Sequence, residues 1–195
     1  MKPHRLIISF IYLAALAALF ASGPVFGPAA VHAANRDPEL GQIVLSGDEG
    51  RLLLSASVRD ALNGRLRQEL AEGDEVTFVF SVELLRKGGW LDDSLRKFSV
   101  SHSLRHDRER GEYVFTSSDA PDNPRRTASL REAEEWMASL SRVPVTELSA
   151  LAVDAPYAIR IQAVLRRGVP VLGRILPIGA LGGIQTDRRT IEFRY

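Results

Sequence analysis

Apolar residues at every second position recur along this chain, and this alternation restricts its fold more than any other feature. The clearest run covers residues 75–86, where one predicted face carries Val76, Phe78, Phe80, Val82 and Leu84. Successive side chains of a strand point to opposite faces, so this spacing predicts a strand with one buried face. Similar runs cover residues 95–105, 112–117, 157–166 and 190–195. Ser, Arg and Gln fill many of the alternate positions, which is typical of antiparallel sheets with one solvated face.

Two segments have helical spacing instead. In residues 57–72, apolar side chains recur every four positions, Ser57 and Asp60 suggest an N-terminal capping box, and Gly73 suits the C-terminal cap. Gly64 conflicts with this helix, because an internal glycine costs about 1 kcal/mol relative to alanine. A second helix is predicted to begin at Ser129, with Glu132 completing its capping box, and to end before Pro144.

The remaining segments complete a fold prediction. Residues 42–58 are expected to form a hairpin, with Gly47 and Gly50 adopting positive φ in its turn. The count is then about seven strands and two helices, and one apolar face per strand indicates two packed layers. We therefore expect a mostly β, α+β fold: an antiparallel β-sandwich-like domain with two packed helices. Its predicted bounds are residues 41–195, after a flexible leader at 34–40.

The first 33 residues have the pattern of a secretory signal peptide. Lys2 and Arg5 precede an uncharged apolar run at residues 6–20, and Val31-His32-Ala33 offers a cleavage site before Ala34. The alternative is an uncleaved anchor in the inner membrane, but a spanning helix needs about 20 apolar residues. The sequence thus predicts an exported, periplasmic protein.

Composition excludes several chemistries. The chain has no cysteine, so it forms no disulfide, thiolate metal site or cysteine nucleophile, and it cannot be anchored as a lipoprotein. Its net charge is +1, and removal of residues 1–33 would change it to −1. A near-neutral chain does not fit a dedicated nucleic-acid-binding protein.

The order of these segments resembles a known bacterial family, that of domain of unknown function 4390. The residues that carry the resemblance span most of 40–195: 58–62, Gly73, 78–84, Trp90, Tyr113, Ala133, Leu140, 157–160 and 176–177. The chain departs from the family pattern at Tyr195, where a Trp-containing ending is expected. The resemblance implies an exported protein with a role beside sensor histidine kinases of the nitrogen-regulation type. It brings no catalytic residues to carry over.

The candidate metal and catalytic groups are sparse. His102 and His106 have the i, i+4 spacing of a helical metal site, but they fall on a predicted strand, about 13 Å apart at about 3.3 Å per residue. We expect them to be ordinary sheet-edge histidines. Asp92-Asp93 and the group Asp119, Asp122 and Asn123 lack the alternating ligand pattern of a calcium loop.

No sequence motif indicates an enzyme. There is no Gly-x-Ser-x-Gly elbow, although a Ser–His–Asp arrangement is defined by geometry and stays open. Residues 179–183 are glycine-rich but match neither a phosphate-binding loop nor a dinucleotide fingerprint. We predict no catalytic residue, no cofactor and no metal site.

The last forty residues carry the strongest binding signal. Residues 156–195 hold seven arginines against Asp187 and Glu192, and residues 169–184 are apolar among Gly and Pro. One interpretation is a surface that docks an anionic or macromolecular partner. The others are solvated strand faces and a lid over the sandwich. The predicted docking residues are Arg166, Arg167, Val171, Leu172, Arg174, Ile175, Leu176, Ile178 and Leu181.

These observations predict a non-catalytic binding module of the cell envelope whose partner is an envelope protein, a sensor histidine kinase being the candidate that the resemblance implies. The alternative is a periplasmic small-ligand binder or an enzyme without a recognisable motif. A weaker alternative is peripheral membrane contact through the Arg-rich region. The oligomeric state is not predicted.

Overall fold

The computed structural model describes residues 37–167 and 184–195. The predicted signal peptide, residues 34–36 of the predicted leader and residues 168–183 of the apolar C-terminal segment lie outside this part. Within this part, nine strands and two α-helices follow the chain. The strands are β1 (Glu39–Asp48), β2 (Arg51–Arg59), β3 (Glu75–Arg86), β4 (Asp93–Asp107), β5 (Glu112–Ser117), β6 (Arg125–Thr127), β7 (Ser139–Glu147), β8 (Pro156–Arg167) and β9 (Arg189–Arg194). The helices are α1 (Gly64–Glu72) and α2 (Leu130–Met137).

The strands form two sheets. The small sheet has the order β1-β2-β7, and the large sheet has the order β6-β5-β4-β3-β8-β9. All strand pairs between named strands are antiparallel. The prediction of a mostly β, sandwich-like domain with two helices is confirmed, with nine strands in the described residues instead of seven.

One hydrophobic core joins the two sheets and both helices. The predicted inward face of β3, from Val76 to Leu84, is buried. It packs in the same cluster as Leu54 of β2, Leu66 of α1 and Met137 of α2. Burial of apolar area from every layer, at about 25 cal/mol per Å², stabilises a domain that has no disulfide.

The first hairpin turns within the predicted residues 47–50, and the prediction of a positive φ is correct for Gly50 and wrong for Gly47. Glu49 and Gly50 have positive φ angles of 47° and 76°. They form a two-residue turn, whose backbone twist matches that of antiparallel strands. Gly47 lies in β1 opposite Leu52 instead. Strand β1 begins at Glu39, inside the predicted leader, and Leu40 is buried.

The predicted helix at 57–72 is wrong in its first half. Residues 57–59 belong to β2, and α1 begins at Gly64 with Asn63 as its N-cap. The Asn63 side chain accepts a hydrogen bond from the Leu66 N–H at 3.1 Å. The glycine that conflicted with a long helix is therefore the first residue of a short one. Gly73 caps the C-terminus with φ 96°, as predicted.

The second helix begins as predicted but ends earlier. Ser129 accepts a hydrogen bond from the Glu132 N–H, while the Glu132 carboxylate accepts one from Thr127 and so does not close the box on Ser129. The helix ends at Met137, and residues 139–147 form β7, which contains Pro144. In the described residues β7 is an edge strand, so a proline there does not interrupt the hydrogen bonds to β2.

Candidate functional site: a basic cleft between two edge strands

Two edge strands border one open cleft. Among the described residues, β1 is an outer strand of the small sheet and β9 is an outer strand of the large sheet. Between them lies a cleft of about 550 Å³, which we call the edge cleft; its lining residues are Gly41, Gln42, Ile43, Arg188, Arg189, Thr190 and Ile191.

A bulge shapes the β1 side of the edge cleft. The register of β1 against β2 shifts between Leu40 and Ile43, and the Gln42 N–H donates to the Ser57 hydroxyl at 3.1 Å. A Cβ added at Gly41 would lie 2.6 Å from the same hydroxyl oxygen, so a larger residue would force the Ser57 side chain to rotate away from the Gln42 N–H. The bulge interrupts the ladder at Gly41 and Gln42, where they face the cleft. Sequence analysis missed this side because a bulge breaks the alternation that identifies a strand.

Thr186 anchors the segment that leads into β9. Its buried hydroxyl accepts a hydrogen bond from the Ala163 N–H at 3.0 Å and donates to the Ala163 carbonyl at 3.2 Å. The Leu165 N–H also donates to the Ile184 carbonyl at 2.7 Å. Residues 184–186 are thus held on β8, and Arg188 and Arg189 leave this anchor with exposed side chains.

A smaller recess adjoins the edge cleft on the outer face of the large sheet. It has a volume of about 180 Å³ and shares Arg188 with the edge cleft. Arg160 donates to the Glu83 carboxylate at 2.9 Å in this recess, and Lys97 also lines it. Because one carboxylate faces three cations here, the shared corner is basic.

Both carboxylate oxygens of Glu83 accept hydrogen bonds within this recess. The Ser94 hydroxyl donates to it at 2.8 Å, and Arg160 pairs with its other oxygen. The Ser94 hydrogen bond is the main cause that holds the pKa of Glu83 below its usual value; burial opposes it, and the hydrogen bond and charge of Arg160 reinforce it. Glu83 therefore stays ionised and binds Arg160, and Arg188 does not take part in that ion pair.

The structure describes only two of the predicted docking residues, Arg166 and Arg167, which are neighbours at the end of β8. Arg166 is half-buried on β8 next to Thr77, and the backbone of Arg167 pairs with Val76. Arg160 lies six residues earlier on β8, about 20 Å away at the rise of a strand. The other predicted docking residues lie outside the described part: Val171, Leu172, Arg174, Ile175, Leu176, Ile178 and Leu181. Within the described residues, Arg160 and Arg166 thus lie far apart on β8, and the arginines that line the edge cleft are Arg188 and Arg189.

His102 is a core residue. It lies on β4, in the interior of the large sheet, so the expectation of a sheet-edge position is wrong. Its ring packs edge-on against Phe80 and Phe115, with ring centroids 5.2 and 5.0 Å away. The Met137 carbonyl is 3.3 Å from Nδ1 and can only accept, so Nδ1 carries the proton. Burial lowers the pKa of His102, opposed mainly by that hydrogen bond.

Two of the carboxylates considered as ligands have side-chain partners. Asp92 pairs with Lys87 at 3.2 Å, and Asp119 accepts a hydrogen bond from Ser117. His106 stacks on Tyr113 with ring centroids 4.6 Å apart. Across residues 37–167 and 184–195, no three His, Asp or Glu side chains come together in a way that could hold a metal ion.

Fold and site together define a class: a two-sheet antiparallel β-sandwich protein with a basic cleft where two sheet edges meet. The model of the family described as domain of unknown function (DUF4390) matches residues 35–174, which is most of the chain. The chain belongs to that family. No curated protein and no solved structure matches it. Of the helices in the described residues, none has the length and apolar character needed to cross a membrane.

Proposed function

We propose that this chain is an exported, non-catalytic binding module of the cell envelope. Its edge cleft takes an extended, acidic segment of an envelope protein. The observation that carries this proposal is that two edge strands and two exposed arginines line the same cleft.

Edge strands suit an extended partner. The outer side of a strand presents N–H and C=O groups that are not used within its own sheet. A peptide in strand conformation can bind them with main-chain hydrogen bonds, which is the recognition mode known as β-augmentation. The cleft offers residues 41–43 on one wall and residues 188–191 on the other, so a segment of a few residues can contact both sheets.

The charge of the cleft selects acidic side chains. Arg188 and Arg189 are its charged lining residues, and Glu83, the carboxylate that lines the adjoining recess, is held by Ser94 and Arg160. Guanidinium groups bind carboxylates with paired, charge-assisted hydrogen bonds. An aspartate or glutamate in the bound segment would therefore contribute both affinity and register.

The proposed partner is an envelope protein, and a sensor histidine kinase is the first candidate, as the family resemblance suggests. Periplasmic localisation belongs to the same proposal and rests on the N-terminal sequence pattern. The environment of His102 favours binding over catalysis, because Phe80, Phe115 and the Met137 carbonyl occupy its surroundings in the core.

Site-specific photo-cross-linking in intact cells tests this proposal. A photoreactive amino acid at Thr190, which is exposed and lines the cleft, is expected to capture one envelope protein. Mass spectrometry should map the cross-link to a segment that contains Asp or Glu. Capture of a sensor kinase would identify the protein as an accessory signalling module.

A charge-reversal pair provides the control. Arg188→Glu with Arg189→Glu should reduce the captured fraction at least about tenfold, because a favourable ion pair becomes a repulsion. Arg131→Glu reverses an exposed charge on α2 and should leave capture unchanged. Equal capture by both variants, or capture that maps to segments of unrelated sequence, would refute the edge cleft as the binding site.

The docking role predicted for residues 169–184 is a separate proposal. Ile184 must be retained in its test, because its carbonyl holds Leu165. Replacing residues 168–183 by a short Gly/Ser linker should abolish capture if that segment docks the partner. Retained capture from position 190 would assign binding to the edge cleft alone.

A further inference from the structure

Large apolar side chains are exposed at one end of the large sheet. Six such side chains are exposed in the described residues, and five of them lie on segments that meet at this end. Arg86 pairs with Tyr157, Lys87 donates to the Pro156 carbonyl, and Asp154 donates to the Tyr195 carbonyl. These bonds bring the β3–β4 turn, the loop before β8 and the residue after β9 together. We call the exposed set the apolar end: Trp90, Leu91, Leu95, Val153 and Tyr195.

The β3–β4 turn holds Trp90 away from the sheet. Trp90 is 94% exposed and Leu91 is 74% exposed. A Cβ at Gly88 would lie 2.0 Å from the Leu91 carbonyl oxygen, so the turn is tight there. Lys87 binds both Asp92 and Glu192 at 3.2 Å, which ties the base of the turn to β9. The indole is therefore presented to solvent by a braced turn.

The chemistry of the apolar end fits a lipid surface. Trp and Tyr are the side chains that concentrate at membrane–water interfaces, because each combines an apolar ring with a polar group. Four of the five side chains lie outside the strands, on the β3–β4 turn, on the loop before β8 and after β9, where they are accessible to a headgroup layer. The surrounding charges balance, with Arg86, Lys87, Arg96 and Arg194 against Asp92, Asp93, Asp154 and Glu192. A rim of both signs complements zwitterionic headgroups better than a strongly charged partner.

We propose that this protein contacts the phospholipid bilayer with its apolar end, inserting Trp90 and Leu91 into the interface. This contact is independent of the edge cleft and of the Arg-rich segment. Burial of the apolar side chains drives it, so it needs no anionic lipid and depends little on salt.

Tryptophan fluorescence provides a local test, because the chain has two tryptophans. The variant Trp136→Phe, in protein purified from the envelope of expressing cells, leaves Trp90 as the sole reporter. Zwitterionic phosphatidylcholine vesicles should shift its emission to the blue, and bromine-labelled acyl chains should quench it. This readout is specific for residue 90, so binding through the N-terminal apolar run would not produce it.

Two comparisons make the test decisive. In the Trp136→Phe background, the further substitution Leu91→Ser should weaken partitioning into vesicles roughly fivefold or more. In the otherwise native chain, the double substitution Trp90→Ser with Leu91→Ser should weaken sedimentation with vesicles roughly tenfold or more. Both residues are exposed, so neither change should unfold the protein. An unshifted Trp90 spectrum at saturating lipid would overturn the proposal. So would a shift that requires anionic lipid, or one that appears at high protein concentration without lipid, which would indicate a second copy of the chain as the occupant.

Discussion

His102 places an ionisable group where charge is unfavourable. Its ring packs between Phe80 and Phe115, and burial lowers its pKa below the ordinary value of 6.5. The unfolded chain therefore binds a proton more readily than the folded protein as the pH falls through 6.5. Above pH 6.5 His102 is neutral in both states and does not lower the free energy of unfolding. As the pH falls from 6.5 towards the lowered pKa of the folded state, protonation of the unfolded chain reduces the free energy of unfolding.

This linkage can be measured by urea unfolding between pH 7.5 and 5.5. We expect the free energy of unfolding to fall with decreasing pH, with a slope of at most about 1.4 kcal/mol per pH unit from this one group. His102→Phe keeps an aromatic ring in the cluster and should flatten that slope. Equal slopes in the wild type and His102→Phe would show that His102 does not contribute.

At the scale of elements, the start of α1 depends on one side chain. Asn63 satisfies the Leu66 N–H, which has no partner within the helix. Asn63→Ala should lower the free energy of unfolding by about 1 kcal/mol, since an N-cap is worth roughly 0.5–2 kcal/mol. Asn63→Ser keeps a capping oxygen and should recover most of that loss. Chemical denaturation of the three proteins would reveal whether the cap or the residue's burial controls stability there.

Strands with strict alternation were predictable, whereas element boundaries were not. The inward face of β3 and the matching faces of β4 and β8 were identified because period-two burial leaves a direct record in the sequence. Residues 57–62 fit a helical spacing by coincidence, because Val58 is buried as a residue of β2 and Leu62 is buried in the loop that follows β2. Propensity could not resolve this, because tertiary pairing determined where β2 ended.

Strands β6 and β7 escaped prediction for different reasons. Strand β6 has three residues, too few for an alternating pattern. Strand β7 contains Pro144, which usually excludes a strand and is tolerated here because β7 is an edge strand in the described residues. The edge cleft was half predictable: the charges of Arg188 and Arg189 were visible, but their position beside Gly41 depends on how the two sheets pack.

At the scale of the whole molecule, the sheet edges are unequal. Within residues 37–167 and 184–195, β1 and β9 are outer strands that line one shared cleft. On the other side, β7 lacks an N–H at Pro144 and has register shifts against β2, and β6 is short. These features discourage strand addition at β7 and β6.

Pro144→Val tests this inequality. The substitution restores a backbone donor on the outer strand, and one added hydrogen bond of about 1 kcal/mol should tighten self-association roughly fivefold. Light scattering across a concentration series would measure it. Ser139→Val adds a β-branched side chain on the same strand without adding a donor, and it should not change association. Equal behaviour of the two variants would mean that Pro144 does not protect this edge.

The proline in β7 also has a consequence for stoichiometry. A sandwich that accepts strands on both sides can pass them from copy to copy and grow into a fibre. Under the proposed function, Pro144 closes one side and the edge cleft accepts a segment on the other, which would give each chain one binding site. Titrations should therefore saturate at one bound segment per chain, and its complexes should be discrete and self-limiting.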